Sequence, residues 1–176
     1  MLTVMSTKLR REVEPRWVAE YVTEHYGGYE IRYRVPLGPP LAGTAEQMGT
    51  GKALRISRPW RPEVDAVIIE PERLILVEGK IFKAMDGLSK LPVYKSLVPD
   101  TPELADHKHK AIVMELLVVR PLSWVLTAAE KAGIKVVEWA PPWIVQIWEE
   151  RDKYWAPEAV AAREERKKVL KKLGFE

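Results

Sequence analysis

The spacing of apolar residues near the start of the chain predicts one helix followed by one strand. In residues 14–26 the apolar positions recur at helical spacing and form one stripe, which consists of Trp17, Val18, Tyr21, Val22 and His25. Pro15 suits the first position of a helix, and Gly27 follows its last turn. The next segment, 29–35, alternates between polar and apolar residues as a strand does.

Two apolar runs, residues 64–69 and 74–77, predict a β-hairpin. They flank Pro71 and Glu72, which suit a short turn. Apolar residues occupy both faces of the predicted strands, so helices should cover the sheet on both sides. A two-residue turn would place Asp65 directly opposite Glu78, and Lys80 would lie on the same face about 7 Å further along the strand.

The remaining patterns predict an α/β fold with a mixed sheet. Residues 36–62 are rich in Gly and Pro and should be irregular, apart from a short strand at 53–56. Further along, the patterns predict a helix at 84–98, a strand at 112–119, a helix at 121–132, a strand at 134–139 and a helical segment from Pro142 that is interrupted at Pro157. The predicted element order is α-β-β-β-α-β-α-β-α.

The predicted pairing of Asp65 with Glu78 is unfavourable unless a cation lies between the two carboxylates. Like charges destabilise a strand pair, and burial would raise one pKa until a proton or a metal neutralised the pair. Oxygen ligands favour Mg²⁺ or Mn²⁺ over zinc, and the chain has no Cys. The alternative is that both carboxylates are solvated strand ends and that Lys80 is a surface residue paired with one of them.

An Asp on one strand followed by Glu-x-Lys on the next resembles the motif of the PD-(D/E)XK nuclease superfamily, which includes restriction endonucleases, Holliday-junction resolvases and lambda-type exonucleases. This chain has Pro62-Glu63-Val64-Asp65 where the family usually has adjacent Pro-Asp. The resemblance implies a restriction-endonuclease-like core, in which the hairpin supplies central strands of a mixed sheet flanked by helices on both faces.

The resemblance also implies a Mg²⁺-dependent deoxyribonuclease. Asp65 and Glu78 would ligate Mg²⁺ or Mn²⁺, the main-chain carbonyl of Gly79 would add a ligand, and Lys80 would orient or activate the attacking water. The alternative function is a catalytically idle module of the same fold that binds nucleic acid or has a structural role, as part of a DNA-processing or phage assembly.

Many members of the superfamily add a Glu from the first helix to the metal shell. Glu14 projects onto the centre of the apolar stripe and is the better candidate, whereas Glu20 lies towards the polar side and is the reserve. A Glu at a helix start is also favoured by the helix macrodipole alone. Some branches carry Gln-x-x-x-Tyr after the hairpin, where this chain has Lys90 and Tyr94. Lys90 would contact a phosphate, or the pair is a surface Lys beside a packed Tyr.

The segment before Asp65 combines cations with an aromatic residue and is the predicted nucleic-acid contact. Lys and Arg side chains bind phosphates, and an exposed aromatic can stack on a base. The residues concerned are Lys52, Arg55, Arg58, Trp60 and Arg61. The alternative is a solvated basic loop whose Trp60 is buried in the core.

The composition of the chain sets outer bounds on its organisation. With 176 residues it suits a single nuclease-like domain over 1–176, with a core of about 14–140 and a helical extension over 142–176. The absence of Cys excludes disulfides, and the net charge of +3 is compatible with a DNA partner. No membrane-length apolar run or signal peptide is present, so we expect a cytoplasmic protein. The charged, cysteine-free composition suits a thermophile. The stripe that contains Trp143 and Trp148 suits the core, and the alternative is that surplus tryptophans form a homodimer face.

Overall fold

The computed structural model describes residues 7–174. Its helices are Thr7–Tyr26 (α1), Thr44–Met48 (α2), Thr50–Ser57 (α3), Ala84–Leu97 (α4), Ser123–Lys131 (α5), Pro142–Trp155 (α6) and Pro157–Lys172 (α7). Its strands are Glu30–Pro36 (β1), Glu63–Ile69 (β2), Arg73–Lys80 (β3), Ala111–Val118 (β4) and Ile134–Glu138 (β5). Short 3₁₀ turns lie at Arg58–Trp60, Val98–Asp100 and Pro102–His107.

The strands form one five-stranded mixed sheet in the order β1-β2-β3-β4-β5. β1 and β2 pair antiparallel, as do β2 and β3, whereas β3, β4 and β5 run parallel to one another. Parallel neighbours need a crossover connection, which α4 supplies between β3 and β4 and α5 between β4 and β5. The hairpin β2–β3 therefore lies inside the sheet, and the predicted α/β fold class is confirmed.

Helices cover both faces of β3. Leu74 and Leu76 belong to a buried cluster that also contains Leu88 and Leu91 of α4. On the opposite face, Gly79 lies against α1, where an added Cβ would meet Val18. Successive strand residues point to opposite faces, so this double cover explains why both sets of residues in the predicted hairpin are apolar.

The first helix is longer than the sequence predicts. It begins at Thr7, and Pro15 lies inside it rather than at its first position. A proline removes one main-chain hydrogen bond and bends a helix, but residues 8–14 are mostly good helix formers, and the helix continues through the proline. Four positions of the predicted stripe are buried, namely Trp17, Val18, Tyr21 and Val22, whereas His25 is exposed.

The segment 36–62 contains two helices that the sequence did not predict, and the predicted strand at 53–56 is wrong. These residues lie in α3, where Ala53 and Ser57 are buried. Two buried positions four residues apart define a helical face, whereas a strand would bury alternate residues. Gly and Pro residues lie around these short helices, and they hid the helical periodicity of the residues between them.

The chain divides into two compact units between Trp139 and Ala140. The first contains the sheet with α1 to α5, and the second consists of α6 and α7, with Pro157 in the first turn of α7. The organisation as a single domain with a C-terminal extension stays a prediction, as does the homodimer. Within residues 7–174, no helix is long and apolar enough to cross a bilayer.

Candidate active site

The hairpin register brings Asp65 and Glu78 together as the sequence predicts. The turn contains Pro71 and Glu72, and the amide of Glu70 donates to the carbonyl of Arg73 at 3.0 Å. The ladder pairs Ile69 with Leu74 and continues to Ala66 and Val77. One further step in this register places Asp65 across from Glu78, so a pair of carboxylates lies at the point where the regular pairing stops.

The backbone is irregular on both sides of Asp65. Towards β3, Asp65 Oδ2 accepts a hydrogen bond from the amide of Gly79 at 2.9 Å, so the strands are joined there through a side chain. Towards β1, pairs form on either side of Arg34, which has a φ of 50°. A left-handed conformation is costly for a residue other than Gly and is often found at functional sites. The sheet therefore opens around this carboxylate.

Glu78 is a buried carboxylate that is only half satisfied. Its residue exposure is 1%, and Oε1 accepts from Lys80 Nζ at 3.1 Å and from Lys90 Nζ at 3.2 Å. Within the described part of the chain, Oε2 has no hydrogen-bond partner although it is shielded from solvent. A buried oxygen without a partner is costly, so this atom has an unused capacity to accept a cation or a proton.

Glu14 reaches the same site from helix α1. Its Oε1 accepts from the amide of Ile81 at 3.1 Å, and its Oε2 accepts from Lys80 Nζ at 3.3 Å. Glu20, the reserve candidate, instead pairs with Arg16 at 2.9 Å on the outer side of the helix. Because α1 begins at Thr7, the macrodipole at a helix start does not explain the position of Glu14.

The electrostatics of the site raise the pKa of Asp65 and keep Lys80 charged. The pKa of Asp65 is raised to about 6, chiefly by burial and then by the charge of Glu78, against the opposing effects of Lys80 and the Gly79 amide. Burial alone would lower the pKa of Lys80, but the charges of Glu78, Glu14 and Asp65 outweigh it, so the net pKa is raised. The ammonium therefore stays protonated at neutral pH and can donate hydrogen bonds.

The residues present fit a hard divalent cation. Among the described residues, no group of three or more His, Asp or Glu side chains already has the close spacing of a metal shell. The donor chemistry is nevertheless suitable, because Glu78 Oε2 lacks a partner and the neighbouring donors are carboxylate oxygens of Asp65 and Glu14. Gly79 contacts Asp65 through its amide, and the role of its carbonyl stays a prediction.

Four of the predicted nucleic-acid contacts lie on the surface. Lys52, Arg55 and Arg58 are exposed, and Trp60 is 68% exposed, so the alternative that Trp60 lies in the core is wrong. A cleft of about 450 Å³ contains Arg58 in its wall and is otherwise lined by Arg34, Pro59, Arg61 and Glu63. Arg58 is braced there, since its Nε donates to Glu63 at 2.9 Å and its Nη2 to the carbonyl of Arg34 at 3.0 Å.

Two predicted nucleic-acid contacts are instead part of the protein interior. Both guanidinium ends of Arg61 donate to Glu103 at 2.6 Å, and the Arg61 side chain is 4% exposed. Tyr94 is buried, and its hydroxyl donates to the carbonyl of Glu63 at 3.0 Å. Neither side chain is available to a nucleic acid. Arg61 is held by an acid, and Tyr94 by a main-chain carbonyl, that lie far away in the sequence.

Lys90 has a position that neither sequence interpretation anticipated. It contacts Glu78 at 3.2 Å and is therefore part of the carboxylate cluster, while its side chain stays 48% exposed. The sequence signal for this position was the spacing of Lys90 and Tyr94, which places both residues on one face of the helix. Once Tyr94 is buried against β2, Lys90 lies one turn earlier on the same side of α4.

A second buried acid, Glu115, was missed within the apolar run of β4. Its carboxylate accepts from Tyr21 at 2.6 Å and Tyr26 at 2.9 Å, both on α1, and from Lys135 at 2.8 Å. Burial raises the pKa of Tyr21 and of Tyr26, and Glu115 raises both further, so both hydroxyls act as donors. The single acid in an apolar run was the signal. These bonds fix the far end of the helix that carries Glu14.

Similarity to known proteins is found among solved structures. No protein-family model matches the chain, and no curated protein matches it. Among solved structures, a repair endonuclease from Pyrococcus abyssi is similar over 74% of this chain and 47% of its own, with 17% identity and a TM-score of 0.46. The EndoMS–dsDNA2 complex is similar over 74% of this chain and 45% of its own, with 19% identity and a TM-score of 0.41. For a protein from Vibrio cholerae the shares are 88% and 37%, with 17% identity and a TM-score of 0.45.

The chain has an α/β core built on a mixed five-stranded sheet. Asp65 and the Glu78-Gly79-Lys80 sequence lie on two inner strands, as the resemblance implies, with helices on both faces. This chain spans less than half the length of each of the three solved proteins. The chemistry of the site is therefore inferred from its own residues.

Proposed function

We propose that this chain is a divalent-metal-dependent deoxyribonuclease that hydrolyses phosphodiester bonds at the site of Asp65, Glu78 and Lys80. The observation that carries the proposal is the state of Glu78. It is a fully buried carboxylate with one oxygen on two ammonium groups and the other without a partner. A purely structural buried acid is normally satisfied at both oxygens, as Glu115 is in this same sheet.

Asp65, Glu78 and Glu14 would hold Mg²⁺ or Mn²⁺, together with the main-chain carbonyl of Gly79. A bound ion of this kind polarises the scissile phosphate and lowers the pKa of a water molecule that attacks it. The protein contributes the position of its ligands. The Gly79 amide orients Asp65, and the Ile81 amide orients Glu14.

Lys80 supplies a fixed positive charge beside the reacting groups. Because its pKa is raised, it donates hydrogen bonds rather than removing a proton at neutral pH. It would orient the attacking water and stabilise the charge that develops on the phosphate in the transition state. Burial of the ammonium between Glu14 and Glu78 holds it in place and limits the reorganisation that this role requires.

The exposed basic segment would bind the DNA. Lys52, Arg55 and Arg58 would contact phosphates, which provides affinity without sequence preference. Trp60 would stack on an accessible base. Arg58 lies on the cleft together with Glu63 at the start of the strand that carries Asp65, so the backbone of the DNA would pass close to the carboxylates.

The test is a cleavage assay on supercoiled, linear and branched DNA with Mg²⁺ or Mn²⁺, repeated with EDTA. We expect cleavage that requires the metal and disappears in Asp65→Ala and Lys80→Ala, while the control Lys95→Met on the exposed side of α4 keeps it. Cleavage that survives in the first two variants would come from a contaminant. Tight DNA binding without cleavage of any substrate would favour the idle binding module instead.

A further inference from the structure

Two ammonium groups share a single oxygen of Glu78, and they are held very differently. Lys80 has a side chain that is 10% exposed and also contacts Glu14 at 3.3 Å. The side chain of Lys90 is 48% exposed and approaches the same Glu78 oxygen from helix α4. A solvated side chain loses little on leaving an ion pair, whereas a buried one would leave uncompensated charge. Lys90 is therefore the cation that can be released.

The backbone that carries Lys90 is fixed, so only its side chain can move. Helix α4 lies so close to the sheet at Gly87 that an added Cβ would lie 2.3 Å from a methyl group of Leu116. One turn beyond Lys90, Tyr94 is buried and bonded to the carbonyl of Glu63. These two contacts, one before Lys90 and one after it, fix the position of helix α4 against the sheet.

The net charge of the carboxylate cluster determines how much positive charge it can bind. Glu14, Asp65 and Glu78 supply three negative charges when ionised, and Lys80 neutralises one of them. The two remaining negative charges match one divalent ion. Lys90 already supplies one of the two positive charges that would neutralise the cluster. Its ammonium contacts an oxygen of Glu78, the same carboxylate that the ion would bind.

We propose that Lys90 is a built-in competitor of the metal. This inference rests on the proposed function. In the metal-free protein Lys90 neutralises Glu78, and on metal binding its ammonium leaves the carboxylate and points to the solvent side of the site, where a DNA phosphate arrives. Lys90 thereby stabilises the empty site and weakens metal affinity, because the metal must displace it from Glu78.

The test is calorimetric titration of Mn²⁺ into the protein at pH 8 without DNA. Lys90→Met keeps the length of the side chain and removes its charge, and Lys90→Gln removes the charge but keeps a polar end. Lys83→Met is the matched control, because Lys83 is an exposed lysine at the start of the same helix. We expect both Lys90 variants to bind Mn²⁺ about three- to tenfold more tightly than wild type.

Salt distinguishes displacement from a general charge effect. Removing any nearby positive charge favours a cation at low salt, but at about 0.5 M salt such long-range effects are screened. The gain in the Lys90 variants should persist at that salt concentration, whereas any gain in Lys83→Met should vanish. In thermal unfolding with EDTA, Lys90→Met should melt below wild type, and it should gain more on addition of Mn²⁺.

The outcomes separate this inference from the proposed function. Wild type that binds Mn²⁺, with Lys90 variants that bind equally or less tightly at high salt, would overturn the role of Lys90 and leave the nuclease proposal intact. Wild type that binds no Mn²⁺ would overturn both. If Lys90→Met does not fold, Lys90→Gln decides the matter, since its amide can still donate a hydrogen bond to Glu78.

Discussion

The amide of Gly79 donates to Asp65 Oδ2 at 2.9 Å, while the opposite side of the same glycine lies against helix α1. The residue between Glu78 and Lys80 thus has two positional roles. Its amide orients one carboxylate of the site, and its missing side chain lets α1 approach closely enough for Glu14 to reach Lys80. The relative positions of Asp65, Glu14 and Lys80 therefore depend on Gly79.

Gly79→Ala is predicted to separate α1 from the sheet. The new Cβ would lie 2.4 Å from Val18 Cγ2, which is too close for any packed side chain, so Val18 or the helix that carries it must shift. We expect a loss of about 1–3 kcal/mol in the free energy of unfolding, measured by urea denaturation, together with weaker Mn²⁺ binding as Glu14 withdraws. Val18→Ala added to Gly79→Ala should restore part of both. A single variant as stable as wild type would contradict the close approach.

Asp65→Asn is predicted to stabilise the metal-free protein at pH 8. The pKa of Asp65 is raised from 3.8 to about 6, chiefly by burial and then by Glu78, so ionisation costs folding free energy above pH 6. As the pH falls from 6 towards 3.8, the folded protein takes up the proton and this cost disappears. Asn avoids the cost and can still accept the Gly79 amide.

Thermal unfolding with EDTA measures this effect. The variant should exceed wild type by about 1–3 kcal/mol at pH 8, and the difference should shrink to zero near pH 4. A difference that is constant with pH would show that ionisation of Asp65 is not its origin. The same substitution should abolish Mn²⁺ binding, so stability and function would change in opposite directions.

The hairpin was predictable because its register follows from local information. A two-residue turn at Pro71 and a strict period of two fix which residues face each other, and the observed register agrees with this prediction. The position of Glu14 was accessible for a similar reason, since the helical period fixes its side of α1 even though the helix begins earlier than predicted.

The errors concern contacts between residues that lie far apart in the chain. Arg61 was predicted to bind nucleic acid from its charge, but it is buried by Glu103, which is 42 positions away. The contact of Lys90 with Glu78 was missed because nothing local shows that α4 crosses above Glu78. Charge alone identifies cations, and only the fold determines which of them remain free for a ligand.

Glu14→Gln is predicted to weaken the site without unfolding the protein. The amide oxygen can still accept from Ile81, but the charge that holds Lys80 is lost. We expect Mn²⁺ affinity and cleavage rate to fall by about 10- to 100-fold, measured by calorimetry and by cleavage of DNA. Glu20→Gln is the matched control on the outer side of α1 and should change neither. Equal losses in both variants would indicate a general effect on the helix.

Arg61→Met is predicted to affect stability rather than DNA binding. It leaves Glu103 without the guanidinium that, against the effect of burial, lowers the pKa of this carboxyl. We expect a loss of about 1–3 kcal/mol in urea denaturation above pH 5, which diminishes as Glu103 is protonated at lower pH. Arg55→Met, on the exposed side of α3, should instead lower DNA affinity with little change in stability. If Arg61→Met instead lowered DNA affinity with little change in stability, Arg61 would belong to the DNA-binding surface.

Trp60→Ala is predicted to weaken binding of single-stranded DNA with no loss of stability. The indole is 68% exposed and lies between the basic residues Arg58 and Arg61, so its removal leaves no cavity. Stacking on an unpaired base contributes about 1–3 kcal/mol, which would appear in fluorescence titration of an oligonucleotide. Trp124→Ala, at a tryptophan on α5 that is 46% exposed, is the control and should bind as wild type. A loss for duplex equal to that for single strands would show that Trp60 contacts the DNA backbone rather than a base.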